Sequence, residues 1–248
     1  MVGFRAVLPV DAVKQLNAEP AKRQFASGQW IDIIPLIDPK LDKWDIKDFT
    51  GANKWSRVES DLVSGYDDQP SKLILPLDAD WKSYECEIEF TRRRGYAPGF
   101  SLNLPNTKTA IPLTFDVQGG GGMLLFRSGE KFVKQGYPIV TGKRTKVRVE
   151  VTRSTENDTV KAFFNGEFAG TWTGDLDSIP ANPKDKFPEN RRLSLWNSGS
   201  SEFVFHRIRV KLLDGGTATS LRPVPAEQSF QQPADDQPVT APVPDTDE

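Results

Sequence analysis

The chain has 248 residues, with 32 Lys and Arg against 34 Asp and Glu, one Cys and one His. A formal net charge of −2 excludes a strongly basic nucleic-acid binder, and the lone Cys86 and lone His206 exclude a disulfide framework or a Cys- or His-cluster metal site within the chain. No apolar run approaches the roughly 18–20 residues of a membrane helix, so neither nucleic acid nor membrane insertion is expected.

The N-terminal stretch MVGFRAVLPVDAVKQLNAEP has no secretory-signal pattern, because Pro9 and Asp11 interrupt its apolar residues. The sequence assigns no compartment and no oligomeric state. Residues 1–29 read as an arm or linker, with a short helix opening near Pro9 and broken at Pro20.

From residue 30 to 213 the chain changes character. Short apolar or alternating runs are separated by Gly, Pro, Asn and Asp. The expected strands are Ile31–Leu36, Trp55–Ser60, Lys72–Pro76, Tyr84–Arg92, Phe100–Leu104, Ala110–Gln118, Met123–Arg127, Thr145–Thr152, Val160–Phe164, Phe168–Thr173, Arg192–Trp196 and Phe203–Leu212. In YECEIEF the inward set is Tyr84, Cys86, Ile88 and Phe90. In KVRVEV it is Val147, Val149 and Val151. Each stretch carries charge on its other face, as expected of an antiparallel sheet packed on one side. Asn165-Gly166 is the strongest hairpin signal, and the glycine run 119–122 reads as a wide hairpin turn rather than a phosphate loop.

Residues 215–248 hold six Pro and six acidic residues against one Arg, Arg222, with few large apolar side chains. Such a segment buries too little surface to offset its ordering entropy, so a disordered, Pro-rich acidic tail is expected. About a dozen strands and hardly a helix imply an all-β fold, a two-sheet antiparallel β-sandwich.

The order of motifs resembles a known group. Residues 55–65, WSRVESDLVSG, look like the W-x-v-x-d-G-x-L-v-s opening of bacterial concanavalin A-like domains. Residues 84–92, YECEIEFTR, are similar to their Y-x-f-x-v-E-F-x-r strand. Residues 163–166, FFNG, resemble the v-x-v-N/D-G hairpin, and residues 203–212, FVFHRIRVKL, the closing v-x-F-r-n-I-x-v-k-x-L strand. The nearest named relative is the 3-keto-disaccharide hydrolase family, and the resemblance covers roughly residues 30–213. It implies a concanavalin A-like jelly roll and a carbohydrate-related role. Residues 112–118, PLTFDVQ, place Asp116 where that family's next strand carries an acid.

Three functions follow as expectations. The first is a lectin-like, carbohydrate-binding module. The second is a glycan-active hydrolase related to the 3-keto-disaccharide hydrolases. The third is a non-catalytic interaction module of a larger assembly. If the chain is an enzyme, Glu87, Glu89 and Asp116 are the acid/base candidates. Glu85, Glu87 and Glu89 share one strand face, close enough for side chains to converge, though a solvated face balanced by Arg92–Arg94 and by Arg148 or Lys146 on other strands reads the same way. For a sugar ligand the candidates are Arg92, Arg94, Tyr96, Asn103, Arg127, Trp196 and Asn197. Arg and Asn offer fork-like donors, and Tyr or Trp offers an apolar face to a pyranose. Trp196 reads as core or as a sugar platform. His206 reads as structural, since no nucleophile motif accompanies it, and Cys86 as buried and inert. No cofactor or metal is expected. Calcium would need oxygen ligands such as Asp45, Asp48, Asp67 or Asp68, and no contiguous calcium loop is present.

Overall fold

The computed structural model describes residues 22–44, 55–66, 70–96, 99–106, 110–117, 122–125, 137–179 and 192–223. Alternating patterns decide the architecture. β8 (Ser83–Gly95) turns Tyr84, Cys86, Ile88 and Phe90 inward, and β12 (Arg144–Thr152) turns Val147, Val149 and Val151 inward, as their sequence periods require. These strands join β4 (Trp55–Val58), β5 (Asp61–Ser64), β13 (Asp158–Phe164), β14 (Glu167–Gly174) and β16 (Ser201–Leu212) in the order β14-β13-β12-β8-β16-β5-β4. The short β2 (Trp30–Asp32) pairs with β16 and completes an eight-stranded antiparallel sheet.

The facing sheet has six strands. They are β3 (Lys43–Trp44), β6 (Ser71–Ile74), β9 (Phe100–Leu104), β10 (Ile111–Val117), β11 (Gly122–Leu125) and β15 (Ser194–Asn197), in the order β11-β10-β9-β15-β6-β3. Leu73, Phe100, Leu102, Leu104, Ile111, Leu113, Phe115 and Leu195 pack from this sheet against the inward set of the other. The molecule is thus the two-sheet antiparallel β-sandwich expected. Cys86 lies inside that core, and burial pushes its thiol up, so it stays protonated and unreactive.

The Asn165-Gly166 signal forms the β13–β14 hairpin. Both residues take positive φ, 51° and 88°, and the Asn165 Oδ1 accepts the Lys146 N–H at 2.9 Å. Of the glycine run only Gly122 is described, and it opens β11, paired with Val117 across the hairpin. The stretch expected as one strand from Ile31 to Leu36 divides: β2 ends at Asp32 and Ile34–Leu36 form a 3₁₀ turn. Pro35 explains the break, because its fixed φ and missing N–H suit the first helical turn and not a ladder.

Two strands lie outside residues 30–213. β1 (Lys22–Phe25) falls in the segment read as an arm. β17 (Ala218–Pro223) falls in the segment 214–248 read as a disordered tail. They pair with each other, and β17 pairs on its other side with β7 (Leu77–Ala79), giving a third, three-stranded sheet. The expectation of disorder is therefore corrected for residues 218–223. Composition was the wrong guide there, because the neighbours supply what the segment lacks. Ala218 and Ser220 are buried, and both Arg222 terminal nitrogens donate to the Asp42 carboxylate at 2.7 and 2.6 Å. The helix expected near Pro9 and residues 224–248 lie outside the described residues.

The ion pair makes a prediction. Asp42 is buried and Arg222 partly exposed, so Arg222→Ala is expected to cost about 2 kcal/mol, below the value for a fully buried pair. Amide exchange at Ala218–Leu221 should rise with it. Unchanged exchange would show that the ladder alone holds the strand.

Candidate functional site: a charged cleft over the eight-stranded sheet

The outward face of the eight-stranded sheet carries an ordered charge ladder. Period-2 geometry points Glu85, Glu87 and Glu89 of β8 away from the core. On β16, Lys211, Arg209 and Arg207 stand directly opposite them; on β12, Glu150, Arg148 and Lys146 do. The β16 partners bond straight across: Arg209 Nε to Glu87 Oε1 at 2.8 Å, and Lys211 Nζ to Glu85 Oε1 at 2.9 Å. The β12 cations instead reach one pair along. Lys146 Nζ meets Glu87 Oε2 at 2.9 Å, Arg148 meets Glu85 Oε2 at 3.6 Å, and Arg144 Nε meets Glu89 Oε1 at 2.6 Å. Diagonal neighbours are within reach of long side chains, and sheet twist favours one diagonal throughout.

Glu87 is the most enclosed member, with its side chain 4% exposed. Burial alone would raise its pKa, but the hydrogen bonds and charges of Lys146 and Arg209 outweigh that and hold it below the usual carboxylate range. Asp32, opposite Arg209 on β2, goes the other way, because burial outweighs the lowering by Arg207 and Arg209.

Aromatic rings close the ladder on two sides. The Arg209 guanidinium lies 4.2 Å and the Lys211 ammonium 4.7 Å from the Trp30 ring centroid. Across the sheet, Arg148 lies 4.1 Å over Phe163, which meets the exposed Phe168 edge-on at 5.7 Å. Between them a cleft of about 440 Å³ crosses β13, β12, β8 and β16 to β2, with Glu85, Glu87, Lys146, Arg148, Arg209 and Lys211 among its lining residues. Four inter-strand spacings make it roughly 19 Å long.

A larger cavity of about 620 Å³ opens beside Trp81, Asn106 and Arg153. Most of its charged groups are spent on local structure, although the buried Trp81 Nε1 has no hydrogen-bond partner. Arg153 bonds Asp158 at 3.1 Å and Asp177 at 2.9 Å, Asp158 accepts the Leu176 N–H, and Asn106 donates to the Leu176 carbonyl. These contacts pin the turns at 154–158 and 176–178, so we place the candidate site in the smaller cleft.

The residues singled out from sequence are dispersed. Glu87 and Glu89 lie on the ladder, ion-paired. Asp116 lies in β10 of the facing sheet, so the three candidate acids do not share a face. Arg92 is buried and ties down the 139–142 loop, through Thr141 Oγ1 at 3.2 Å and the Ile139 carbonyl. Arg94 pairs with Glu202 at 2.9 Å and covers the Tyr66 ring; Tyr96 beside it is exposed. That rim is tightly built, since a Cβ at Gly95, which has φ +102°, would sit 2.2 Å from the Ser200 carbonyl oxygen. Seven residues of β8 at ~3.3 Å each separate Arg94 from Glu87, so rim and cleft are different places. Asn197 is fully buried and spends its amide on Ser64, Ser201 and Gly199. Asn103 donates to Ser194 Oγ at 3.0 Å. Trp196 is half-buried on β15, beside Lys72 and Ser101 and in antiphase to the core residue Leu195. Arg127, Asp45, Asp48, Asp67 and Asp68 lie outside the described residues. Among the described residues no three His, Cys, Asp or Glu groups cluster to hold a metal ion.

Sequence alone does not single out Trp30, Phe163, Arg209 and Lys211 as site residues. A period-2 reading assigns each to an outward face, but only strand order and register bring them together. His206 sits at a β16 bulge, between Phe205 and Arg207. Its Nδ1 is 3.1 Å from Asp61 Oδ2 and its Nε2 is 2.9 Å from Thr91 Oγ1. Thr91 lies mid-strand with ladders on both sides, so the trio reads as a link between β5, β16 and β8.

No family model matches the chain, and no curated protein matches it. Among solved structures it is similar to legume-lectin-like and concanavalin A-like β-sandwich domains. The metal-free carbohydrate recognition domain of Emp46p aligns with 13% identity and a TM-score of 0.47, over 74% of this chain and 98% of that one. Peanut lectin with a nine-residue peptide gives 12% identity and 0.45, over 81% and 98%. Alginate lyase Aly36B gives 10% identity and 0.42, over 79% and 100%.

Proposed function

We propose that the chain is a carbohydrate-binding β-sandwich module whose ligand lies in the cleft over the eight-stranded sheet. The observation that carries this reading is the pair of aromatic borders, Trp30 and Phe163, on either side of a floor of charged side chains. Sugar rings present apolar C–H faces and polar hydroxyl edges, and a shallow cleft with aromatic walls and hydrogen-bonding groups on its floor matches both. Binding is favoured over hydrolysis by Glu87. A general acid must keep its proton near working pH, and Glu87 is held ionised by two cations.

A glycan array probed with the full chain tests this. A restricted set of saccharides should be retained, and Trp30→Ala should weaken retention at least tenfold while thermal unfolding moves little, because Trp30 is only partly buried. Absence of any retained glycan, or equal retention by Trp30→Ala, overturns the assignment and leaves the face to a protein partner.

A further inference from the structure

The hydrogen-bonding capacity of the cleft floor is unevenly spent. Both Glu87 carboxylate oxygens are taken, one by Arg209 and one by Lys146. Glu85 gives one oxygen to Lys211 and faces Arg148 with the other. Each carboxylate oxygen can accept a second bond, but the acceptor positions left are fewer than the donors: Arg209 commits its Nε to Glu87, which leaves the two terminal nitrogens of its guanidinium, and Lys146 and Lys211 each meet one carboxylate oxygen with an ammonium that carries three hydrogens. The lining cations Lys146, Arg148, Arg209 and Lys211 outnumber the lining carboxylates Glu85 and Glu87, and they still do so by four to three when Glu150, which Arg148 meets at 3.0 Å, is counted, in a chain whose formal net charge is −2.

We propose that the saccharide taken by this cleft is anionic, with a carboxylate or sulfate on the sugar directed at Arg209, Lys146 and Lys211 while the ring lies against Trp30. This inference rests on the carbohydrate-binding reading and specifies the ligand class within it. A neutral sugar hydroxyl can accept from these donors but brings no charge to meet the cations. An anionic substituent only accepts and matches the donors that remain, in charge-assisted bonds. The overall negative charge of the chain argues against diffuse attraction of polyanions, so selectivity must come from this patch.

Isothermal titration of the full chain with an oligogalacturonate, a sulfated heparin-derived disaccharide, a neutral cello-oligosaccharide and inorganic sulfate tests the proposal. The variants are Trp30→Ala and the double variant Lys146→Gln, Lys211→Gln. In the double variant the most enclosed carboxylate, Glu87, keeps Arg209 at 2.8 Å, and the partly exposed Glu85 retains Arg148 at 3.6 Å, with circular dichroism as the check on the fold. At least one anionic saccharide should bind tenfold or more tightly than the neutral one, and more weakly as salt rises. Both variants should weaken it at least tenfold. The carboxylated and sulfated probes identify which anion is recognised, and inorganic sulfate should bind far more weakly than either, since it lacks the ring that Trp30 holds. Equal binding of the neutral oligosaccharide, lost in Trp30→Ala, overturns the anionic preference and leaves the carbohydrate site standing. Anionic binding unchanged in both variants overturns the location. No binding of any saccharide overturns both readings.

Discussion

Replacing Phe100 with alanine is expected to cost about 4–5 kcal/mol of folding stability, the upper end for a buried aromatic truncation. Phe100 is fully buried on β9 and is the six-stranded sheet's ring at the centre of a cross-sheet cluster. Its centroid lies 4.7 Å from Phe90, 5.5 Å from Phe203 and 5.4 Å from Phe205, all near-perpendicular, and 5.1 Å from Phe115. Edge-to-face pairs contribute beyond area burial, and three strands' worth of rings cannot collapse together into the void. Phe100→Leu should cost much less, about 1–2 kcal/mol, because it keeps most of the volume. Urea unfolding would measure both from the midpoint at constant m. A loss below about 2 kcal/mol for the alanine variant would mean the sheets close on the cavity. The double variant Phe90→Ala, Phe100→Ala should be non-additive, since the two rings touch.

Of this ring cluster Phe90 was legible in the chain as an inward residue, together with the core residues beside it on β8 and β12. Alternation in YECEIEF and KVRVEV names the inward residues, and Asn165-Gly166 fixes a hairpin, because both signals are local consequences of strand pleat and turn geometry. The short strands escaped. Leu77–Ala79 is three residues after a proline, and Ala218–Pro223 sits in polar, Pro-rich sequence, so each depends on partners far along the chain. The site was legible only in part. Glu85, Glu87 and Glu89 could be put on one face with Lys146 or Arg148 as counterions, but Arg92–Arg94, also expected to balance them, serve the 139–142 loop and Glu202 instead. Yet β16 lies more than 100 residues beyond β8, and nothing local says that Arg209 stands opposite Glu87 or that Trp30 stands opposite Lys211. The same blindness grouped Arg94 and Tyr96 with Asn103 and Trp196, which the fold sends to different sheets. Residue chemistry was readable from sequence; juxtaposition came from non-local pairing.

Glu87→Ala is expected to lower stability by about 2–3 kcal/mol near neutral pH. The change strands Arg209, 9% exposed, without its carboxylate, while Lys146, 44% exposed, regains water. That exposure places the cost below the 3–5 kcal/mol of a fully buried pair. The pH dependence separates charge from packing. The folded-state pKa of Glu87 is depressed relative to the unfolded carboxyl near ~4.3, so its ionic contribution is complete above that value. It declines as pH falls through the lower folded-state value, where the proton is bound in both states. The stability gap between wild type and Glu87→Gln should therefore be flat from about pH 5 to 8 and narrow in acid. Chemical denaturation across that range would show it. A gap that persists undiminished at pH 3 and below would assign the loss to packing and hydrogen-bond geometry instead. If the ion pair matters chiefly because a half-removed pair is costly, Glu87→Leu combined with Arg209→Leu should recover much of the loss of Glu87→Ala. The same double variant should still lose the ligand, because it removes one of the cleft's donors along with the carboxylate. Stability and binding would then part company at this site, which is the behaviour expected of a charge ladder kept for recognition rather than for holding the sheet together.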